Sequence, residues 1–590
     1  VSAVEIVEVV KVIELTGYQL HDLDRLNADD PVLPVRFDGA LVLIGPVLDR
    51  GGVCLPCAED AHLAALGPST PRANPALRLG GLASPALRPA ITALLDRVLA
   101  NPAAHRDRVL ALRTDLGTVS EHRVRPRPGG CPTCGPLPED SPHTATVVRA
   151  PIPVDPGSLR GANPLTANDS LRRELLDLRH GPVGGLHRIG DLAVAAVSAE
   201  LVGGQAGFGR TGDYAHAERV ALCEAVERHA GLRPRRVTTT LEASFAELGP
   251  DRALDPTRLG LPDLPSPHIT PYHPDTRTRW VHGWSYTRAR PIAVPEHVAY
   301  WGPSTGPRFV DETSNGCGTG NSLTEAVLHG LFEVAERDAF LTAWYGRTPL
   351  PSLRSDDELT AHVADRLEQL GYRLELYDAT NDLGVPSVLS LARRAVDRPD
   401  QPGLPDLPDQ PGQPDQPNLP CAFYAAGAGL DPDAAVRAAA AEVVMDVEAG
   451  AKRYRTDPGD YDPERLRRML RDPRLVRTMD DHVNVNGLPE ALGRHAFLVP
   501  GPERDLAVPD VPTGDLDALL EHWVRRWEAL GLEVIAVDQS DPVVRERLGL
   551  FSAKVIVPGS APMTFGELNR RTTGLPRLRL SGPPLPHPFP

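Results

Sequence analysis

Apolar positions along the chain fall into two rhythms. Short, β-branched runs with period-two character predict strands at ALVLIGPV (40–47), LAVAAVSAELV (192–202), RPIAVPEHVAYW (290–301), SVLSLARRAV (387–396), LEVIAVDQ (532–539) and AKVIVPGS (553–560). Longer runs with apolar residues three and four apart predict helices at HAERVALCEAVERHAG (216–231), NSLTEAVLHGLFEVAERDAF (321–340) and DAAVRAAAAEVVMDVEAG (433–450). From about residue 165 onward the two rhythms alternate, which predicts an α+β region of sheets packed with helices. Residues 1–150 differ: one clear strand, then Pro- and Gly-rich sequence, reading as a smaller α/β fragment. The segment 397–420, DRPDQPGLPDLPDQPGQPDQPNLP, carries too little apolar surface to fold and reads as a disordered insertion between two strands.

Two of the predicted helices carry acids where core residues are expected. In LCEAVERHAG, Glu224 and Glu227 share a face, Arg228 follows, and Gly231 can end the helix. In the second helix Glu325, Glu333 and Glu336 stand eight and three residues apart, roughly on one side. Ser322-x-x-Glu325 is also a capping box, so Glu325 has a purely structural reading beside the functional one. Ion pairs with Arg228 and Arg337 account for part of the charge. Yet each helix sets one arginine against two or more carboxylates, and clustered desolvated carboxylates need a cation. The third helix adds Arg437 and Glu442 among alanines and valines. A magnesium ion with nucleotide phosphates meets this demand. No G-x-x-x-x-G-K-[ST] loop occurs, so the expected nucleotide site is not of the P-loop type.

Cysteine spacing gives a second constellation. Cys54-Leu-Pro-Cys57 and Cys131-Pro-Thr-Cys134 are two C-x-x-C knuckles suited to a closed, structural zinc site. Free thiols or a redox pair are the alternative. Cys223 and Cys421 read as small core residues. Cys317, in the glycine-rich NGCGTGNS, reads either as a nucleophile near a helix start or as part of a turn that approaches phosphate.

Composition narrows the class. The chain has 590 residues, 41% hydrophobic, with 62 Pro, 52 Gly and a net charge of −16. That balance argues against nucleic acid as a partner. The N-terminus lacks a basic n-region, and no run of about 18 apolar residues occurs, so neither a signal peptide nor a membrane span is expected. A cytoplasmic setting with reduced thiols fits.

GFGRTGDYAHAERVALCEAVERHAG, SNGCGTGNSLTEAVLHGLFEVAERDAF, PGSAPMTFGELNRRTTGLPRL and the terminal PLPHPFP together resemble a YcaO-family cyclodehydratase over about residues 165–590. Within that family they are similar to the D component of azole/azoline peptide biosynthesis, of the thiopeptide type. The resemblance implies ATP- and Mg²⁺-dependent closure of Cys, with Ser and Thr as further substrates, onto the preceding amide of a ribosomally made precursor peptide. The amide oxygen is phosphorylated and thiazolines or oxazolines form. It implies Glu224, Glu227, Glu333 and Glu336 as magnesium ligands. Arg228, Asn321, Glu325, Arg337 and Glu442 then contact nucleotide, with Arg437 in place of an arginine four residues before Glu442. It also implies that the tail 581–590 enters the active site, with Pro590 as the proton acceptor. Residues 1–150, through GPVLDRGGVCLPCAED, resemble a truncated E1-like scaffold that carries the four-cysteine zinc site. They leave no room for a leader-binding winged helix, so a separate ThiF-like leader-binding protein is expected, with an azoline dehydrogenase and a second copy of the chain as further partners. Two rivals stand beside this: a non-catalytic scaffold for leader or partner, and a YcaO enzyme that forms thioamides or amidines.

Overall fold

The computed structural model describes residues 10–15, 31–49, 52–65, 85–127, 130–303, 306–394, 419–456 and 458–589. Of the proline-rich insertion expected at 397–420, all but the last two residues lie outside these ranges.

The N-terminal sheet follows chain order: β1 (Lys11–Leu15), β2 (Val32–Asp38), β3 (Leu41–Ile44), β4 (Arg108–Arg113) and β5 (Thr118–Arg123). Strands β1 and β2 pair parallel and the rest antiparallel. Helices α1 (Leu55–Ala65) and α2 (Arg88–Ala100) fall between β3 and β4. On α2, Ile91, Leu94 and Val98 form one apolar stripe and pack on Leu33, Val35, Ile44 and Leu110 of the sheet. Between Arg123 and Pro164 the described residues form neither helix nor strand. This stretch is laid on later elements instead: the Asp140 carboxylate accepts from His282 N and Nδ1 at 2.9 and 2.7 Å, and Val154 N donates to Gly514 O.

The remainder is α+β. After α3 (Asn168–Leu175) comes a three-stranded antiparallel sheet, β6 (Val183–Ile189), β7 (Ala195–Leu201) and β8 (Ala206–Thr211), covered by α4 (Tyr214–Gly231). A six-stranded sheet joins β9 (Leu241–Ala243), β10 (Thr278–Ser285), β11 (Arg290–Pro295) and β12 (Cys317–Gly320) to β18 (Ile535–Asp538) and β19 (Phe551–Ile556), in the order β11-β10-β18-β19-β12 with β9 on β10. Two single-turn helices, α5 (Phe245–Leu248) and α6 (Glu296–Ala299), flank it, and α7 (Leu323–Gly346) crosses it. The last sheet runs β16-β15-β14-β13-β17, from β13 (Ser352–Leu353), β14 (Tyr372–Asp378), β15 (Ser387–Arg394), β16 (Ala422–Ala428) and β17 (Glu503–Arg504). Its covers are α8 (Glu358–Gln369) and α9 (Pro432–Thr456). Among the described residues no helix is long and apolar enough to cross a membrane.

The three long helices are built alike. Each follows a strand through a short turn: β8 into α4, β12 into α7, β16 into α9. Each is capped by a side-chain oxygen, from Asp213, Ser322 and Asp431 respectively. Each strand meets its helix at a glycine. A Cβ built on Gly209 would lie 1.7 Å from Ala217 O, on Gly318 2.2 Å from Ala326 O, and on Gly427 2.2 Å from Ala435 O. Caps, glycines and one glutamate per helix, Glu224, Glu333 and Glu442, all recur at an interval of 109 residues. The chain therefore writes one strand–helix unit three times. Each helix also touches the next unit's strand: α4 meets β12, α7 meets β16, and α9 meets β8. The three helices thus close a ring around a common centre. Gly209→Ala is expected to force α4 off β8 and lower stability by about 3 kcal/mol, the upper end of overpacking costs. Urea unfolding checks this; an unchanged midpoint would show that the close approach is not needed.

Candidate active site

At the centre of the ring lies a cavity of about 750 Å³. All three helices and their strands contribute to its wall. Arg210 comes from β8, Glu224, Glu227 and Arg228 from α4, Glu333 and Arg337 from α7, and Glu442 and Asp446 from α9.

Some of these charges are neutralised within the protein. Arg228 Nη2 reaches Glu224 Oε1 at 2.6 Å, and the second oxygen of Glu224 accepts from Phe208 N at 2.7 Å. Arg210 Nη1 donates to Glu442 Oε1 at 3.0 Å. Arg337 stands 3.7 Å from Glu333 and 3.5 Å from Glu336, looser than hydrogen bonds. Glu333 Oε2 accepts from Gly316 N at 3.0 Å.

What remains is an excess of negative charge at the heart of the site. Burial, then the facing charges of Glu333 and Glu224, push the Glu227 carboxyl well above its usual range. Burial also raises Glu333, against the pull of Arg337 and Lys554. Glu336 is pushed up to about 7, first by burial and then by Glu442 and Glu333. Carboxylates held this way gain most from a hard divalent cation. Around them Arg160, Arg210, Arg219 and Arg453 line the same cavity. Acids at the centre with arginines around them suit a magnesium-bound polyphosphate, so the donor set fits both groups.

Not every expected residue reaches the cavity wall: Glu336 stands behind it, beside Arg337. Asn321 and Glu325 sit at the start of α7 and clamp the loop before α3: Asn321 Nδ2 donates to Gly161 O at 2.7 Å, and Glu325 Oε2 accepts from Gly161 N at 3.1 Å. Ser322 does cap the helix there. Glu325 is nonetheless buried, its other oxygen has no hydrogen bond and only His329 Nε2 at 3.9 Å, and burial raises its pKa, so the cap alone does not explain it.

Arg437 is the correction. It points away from the cavity and pairs with Asp357, the cap of α8, at 2.9 Å. Five residues separate it from Glu442, a rotation of about 140° on an α-helix. The guanidinium that meets Glu442 is Arg210, which lies far away in sequence. Asp446 was not anticipated either, although it lies one turn beyond Glu442 on the same face. It stands where the other two units carry Arg228 and Arg337. Its Oδ2 has no partner, and burial followed by Glu442 pushes it up to about 8. Cys317 lines the cavity from β12, rather than from a helix start, and burial drives its thiol upward, away from the thiolate a nucleophile needs.

The tail is threaded through the interior. Leu585 O accepts from Trp344 Nε1 at 3.2 Å, Pro586 O from Asn486 Nδ2 at 3.0 Å, and His587 O from His482 Nδ1 at 2.9 Å. Phe589 is fully buried, 4.7 Å from the Phe340 ring, with the Arg337 guanidinium 4.4 Å above its face. Pro590 lies outside the described residues. Phe589→Ala is expected to lower stability by about 3 to 5 kcal/mol and to loosen Arg337, by the rule for large buried side chains. Chemical denaturation together with nucleotide affinity reads both effects; unchanged affinity would detach the tail from the site.

The four cysteines also come together. All four sulfurs lie within 4.8 Å of one another, with Cys54–Cys131 at 3.5 Å and Cys57–Cys134 at 3.8 Å. Tetrahedral zinc with bonds of about 2.3 Å sets its sulfurs about 3.8 Å apart. Backbone amides of Cys54 and Arg127 point at Cys134 and Cys57 sulfur, as around thiolates. The set fits a closed structural zinc site that ties α1 to the segment after β5.

Residues 208–561 match the family model described as YcaO cyclodehydratase, ATP- and Mg²⁺-binding. The fold is that of a heterocyclase solved in complex with substrate and cofactor: TM-score 0.71, 21% identity, covering 98% of this chain and 81% of that one. The heterocyclase TruD gives a TM-score of 0.63 at 20% identity, with 95% of this chain and 75% of that one covered. An uncharacterized protein of Methanothermobacter thermautotrophicus (strain Delta H) is 29% identical over 203 residues, 33% of this chain and 49% of the relative. The chain thus spans about half the length of that curated relative.

Proposed function

The chain belongs to the YcaO cyclodehydratase family, and from that premise we propose that it is an ATP-dependent enzyme that closes Cys side chains of a peptide, with Ser and Thr as further substrates, onto the preceding backbone amide to give thiazolines or oxazolines. The observation that carries this reading is the half-buried Glu227–Glu333 pair, whose charge the described residues do not fully offset, set within a ring of arginines.

Magnesium held by Glu224, Glu227, Glu333 and Glu336 would neutralise phosphate oxygens and polarise the transferred phosphoryl group. Arg228 and Arg337 orient the polyphosphate from two sides, and Arg210 does so from the third while holding Glu442 in place. The third unit carries Met445 and Asp446 where the other two carry Glu and Arg, so it keeps one of their acids and lacks their metal-binding pair. That asymmetry leaves the α9 side of the cavity for the peptide amide. Asn321 and Glu325 act from behind, fixing the loop that presents Arg160. The carboxylate set is intact, which argues against a non-catalytic scaffold. A precursor peptide and a separate leader-binding protein are the partners this reading requires, and zinc on the four cysteines is its structural metal.

The test combines the purified chain with a Cys-containing precursor peptide and a leader-binding protein. Expected are peptide-dependent phosphate release and the loss of one water per ring by mass spectrometry. Phosphate release with sulfur incorporated from added sulfide, and no water loss, would move the enzyme to the thioamide-forming class. Neither product, with nucleotide still bound, would favour the scaffold.

A further inference from the structure

A second group of metal-type ligands lies outside the ring. His122 on β5 faces Asp177 and His180, in the turn between α3 and β6, across the seam where the N-terminal sheet meets the rest of the chain. One ligand atom from each of the three lies within 4.8 Å of the others. His122 is 9% exposed and His180 4%. The seam opens beside them into a cavity of about 940 Å³, whose wall includes His122, Asp177, Arg108, Arg123 and Arg125.

Ser120 Oγ lies 2.6 Å from His122 Nε2, and His122 Nδ1 lies 2.8 Å from Asp177 Oδ1. With the ring proton on Nδ1 this contact is an ordinary hydrogen bond to Asp177; with the proton on Nε2, donated to Ser120, Nδ1 is free to face a cation that Asp177 shares. Histidine ligands commonly fix their free nitrogen in this way, by giving the other N–H to an outer partner. Asp177 Oδ1 also accepts from the amides of Arg179 and His180 at 2.8 and 3.2 Å, which orients the carboxylate. His180 Nδ1 is buried without a hydrogen-bond partner. The ring of His62 stacks on His180 at 5.2 Å and holds its plane.

We propose that His122, Asp177 and His180 form a second metal site, for a zinc-class divalent ion, distinct from the four cysteines and from the carboxylate cavity. Two imidazoles and one carboxylate suit borderline transition metals rather than magnesium. With metal–ligand bonds of about 2.0 to 2.2 Å, two ligands on one ion stand about 3 to 3.4 Å apart, so small side-chain rotations close the set. On binding, the ion takes the place of the His122 Nδ1 proton, and Nε2 takes one up and donates it to Ser120, so the ring stays neutral. Three protein ligands leave a position open toward the cavity for water; Arg108 and Arg123 there are already paired with Glu121 and Glu174 of the same wall.

The test strips the full chain with chelator and reloads it with Zn²⁺ in excess Mg²⁺, which keeps the carboxylate cavity filled. Two equivalents of zinc are expected. His180→Ala and Asp177→Asn should each bind one. In Asp177→Asn the side-chain amide oxygen can still accept the two backbone N–H groups, so that variant keeps the turn. Cobalt titration of the wild type should show the thiolate charge-transfer band saturating at one equivalent, with a second equivalent bound outside it. One equivalent in the wild type, or two in both variants, would overturn the site. If His180→Ala does not fold, Asp177→Asn and the cobalt titration decide.

Discussion

Glu227→Gln is expected to lower ATP-dependent turnover by a factor of about 10³ or more while leaving the chain folded. The residue lies on the cavity face of α4, opposite Glu333, and each raises the cost of the other's charge. Glutamine has the same shape and cannot carry that charge. A metal-mediated stabilisation of the transferred phosphoryl is worth several kcal/mol, and each 1.36 kcal/mol is a factor of ten in rate. Removing one ligand of the pair therefore costs roughly the stated factor. The same substitution removes a desolvated like-charge contact, so the metal-free variant should melt no lower than the wild type, and higher at neutral pH. Phosphate release and thermal melting in parallel separate the outcomes. Turnover within a few-fold of the wild type would remove Glu227 from the metal site. A collapsed melting temperature would make it a structural residue instead.

How much of this was legible in the sequence depends on the range of each signal. The three helices were, because the 3.6-residue period is local, as is the Glu-x-x-Glu-Arg phrase that two of them carry. The two C-x-x-C knuckles were as well, because metal spacing constrains short segments even when about 75 residues lie between them. Arg210 was not. It lies in the quoted GFGRTG, but nothing local says that β8 crosses α9, and only that crossing brings it to Glu442. Arg437 was misplaced for a reason the sequence did contain, since helical phase turns it away from Glu442. Asp446 could have been found by the same phase argument. The 109-residue recurrence was also present in full. It escapes a reading made for two matched phrases, because the third copy keeps the cap, the glycine and the first glutamate but exchanges the rest for Met445 and Asp446. The seam histidines were invisible: His62, His122 and His180 share no spacing rule and meet only through the docking of two sheets.

The pH dependence of stability follows from the same excess charge and gives the second large effect. Glu336 titrates near 7 in the folded chain, against 4.5 when unfolded, with burial as the main cause and Glu442 and Glu333 next; Arg337 and the Ala428 amide oppose them. A folded-state pKa above the unfolded one means that the folded chain binds more protons between these values. Stability from this group is therefore greatest below about pH 4.5 and falls as pH rises toward 7. The span, at 1.36 kcal/mol per unit, amounts to about 3 kcal/mol. Asp446, raised to about 8 by burial and Glu442 against Arg210 and Arg453, extends the fall beyond neutrality. Carboxylates such as Asp263 and Glu312, lowered by their arginine partners, produce the opposite slope at lower pH, so the total curve does not isolate the site. The difference between the wild type and Glu336→Gln does. Urea midpoints from pH 5 to 8 should show the variant gaining on the wild type steadily up to about pH 7, then levelling. Saturating Mg²⁺ and a non-hydrolysable nucleotide should reverse the ordering, because the cation now offsets the charge that glutamine lacks. A difference that stays flat with pH would mean that Glu336 is already ionised and fully compensated by Arg337, and the excess charge assigned to the centre of the ring would have to be smaller than its geometry indicates.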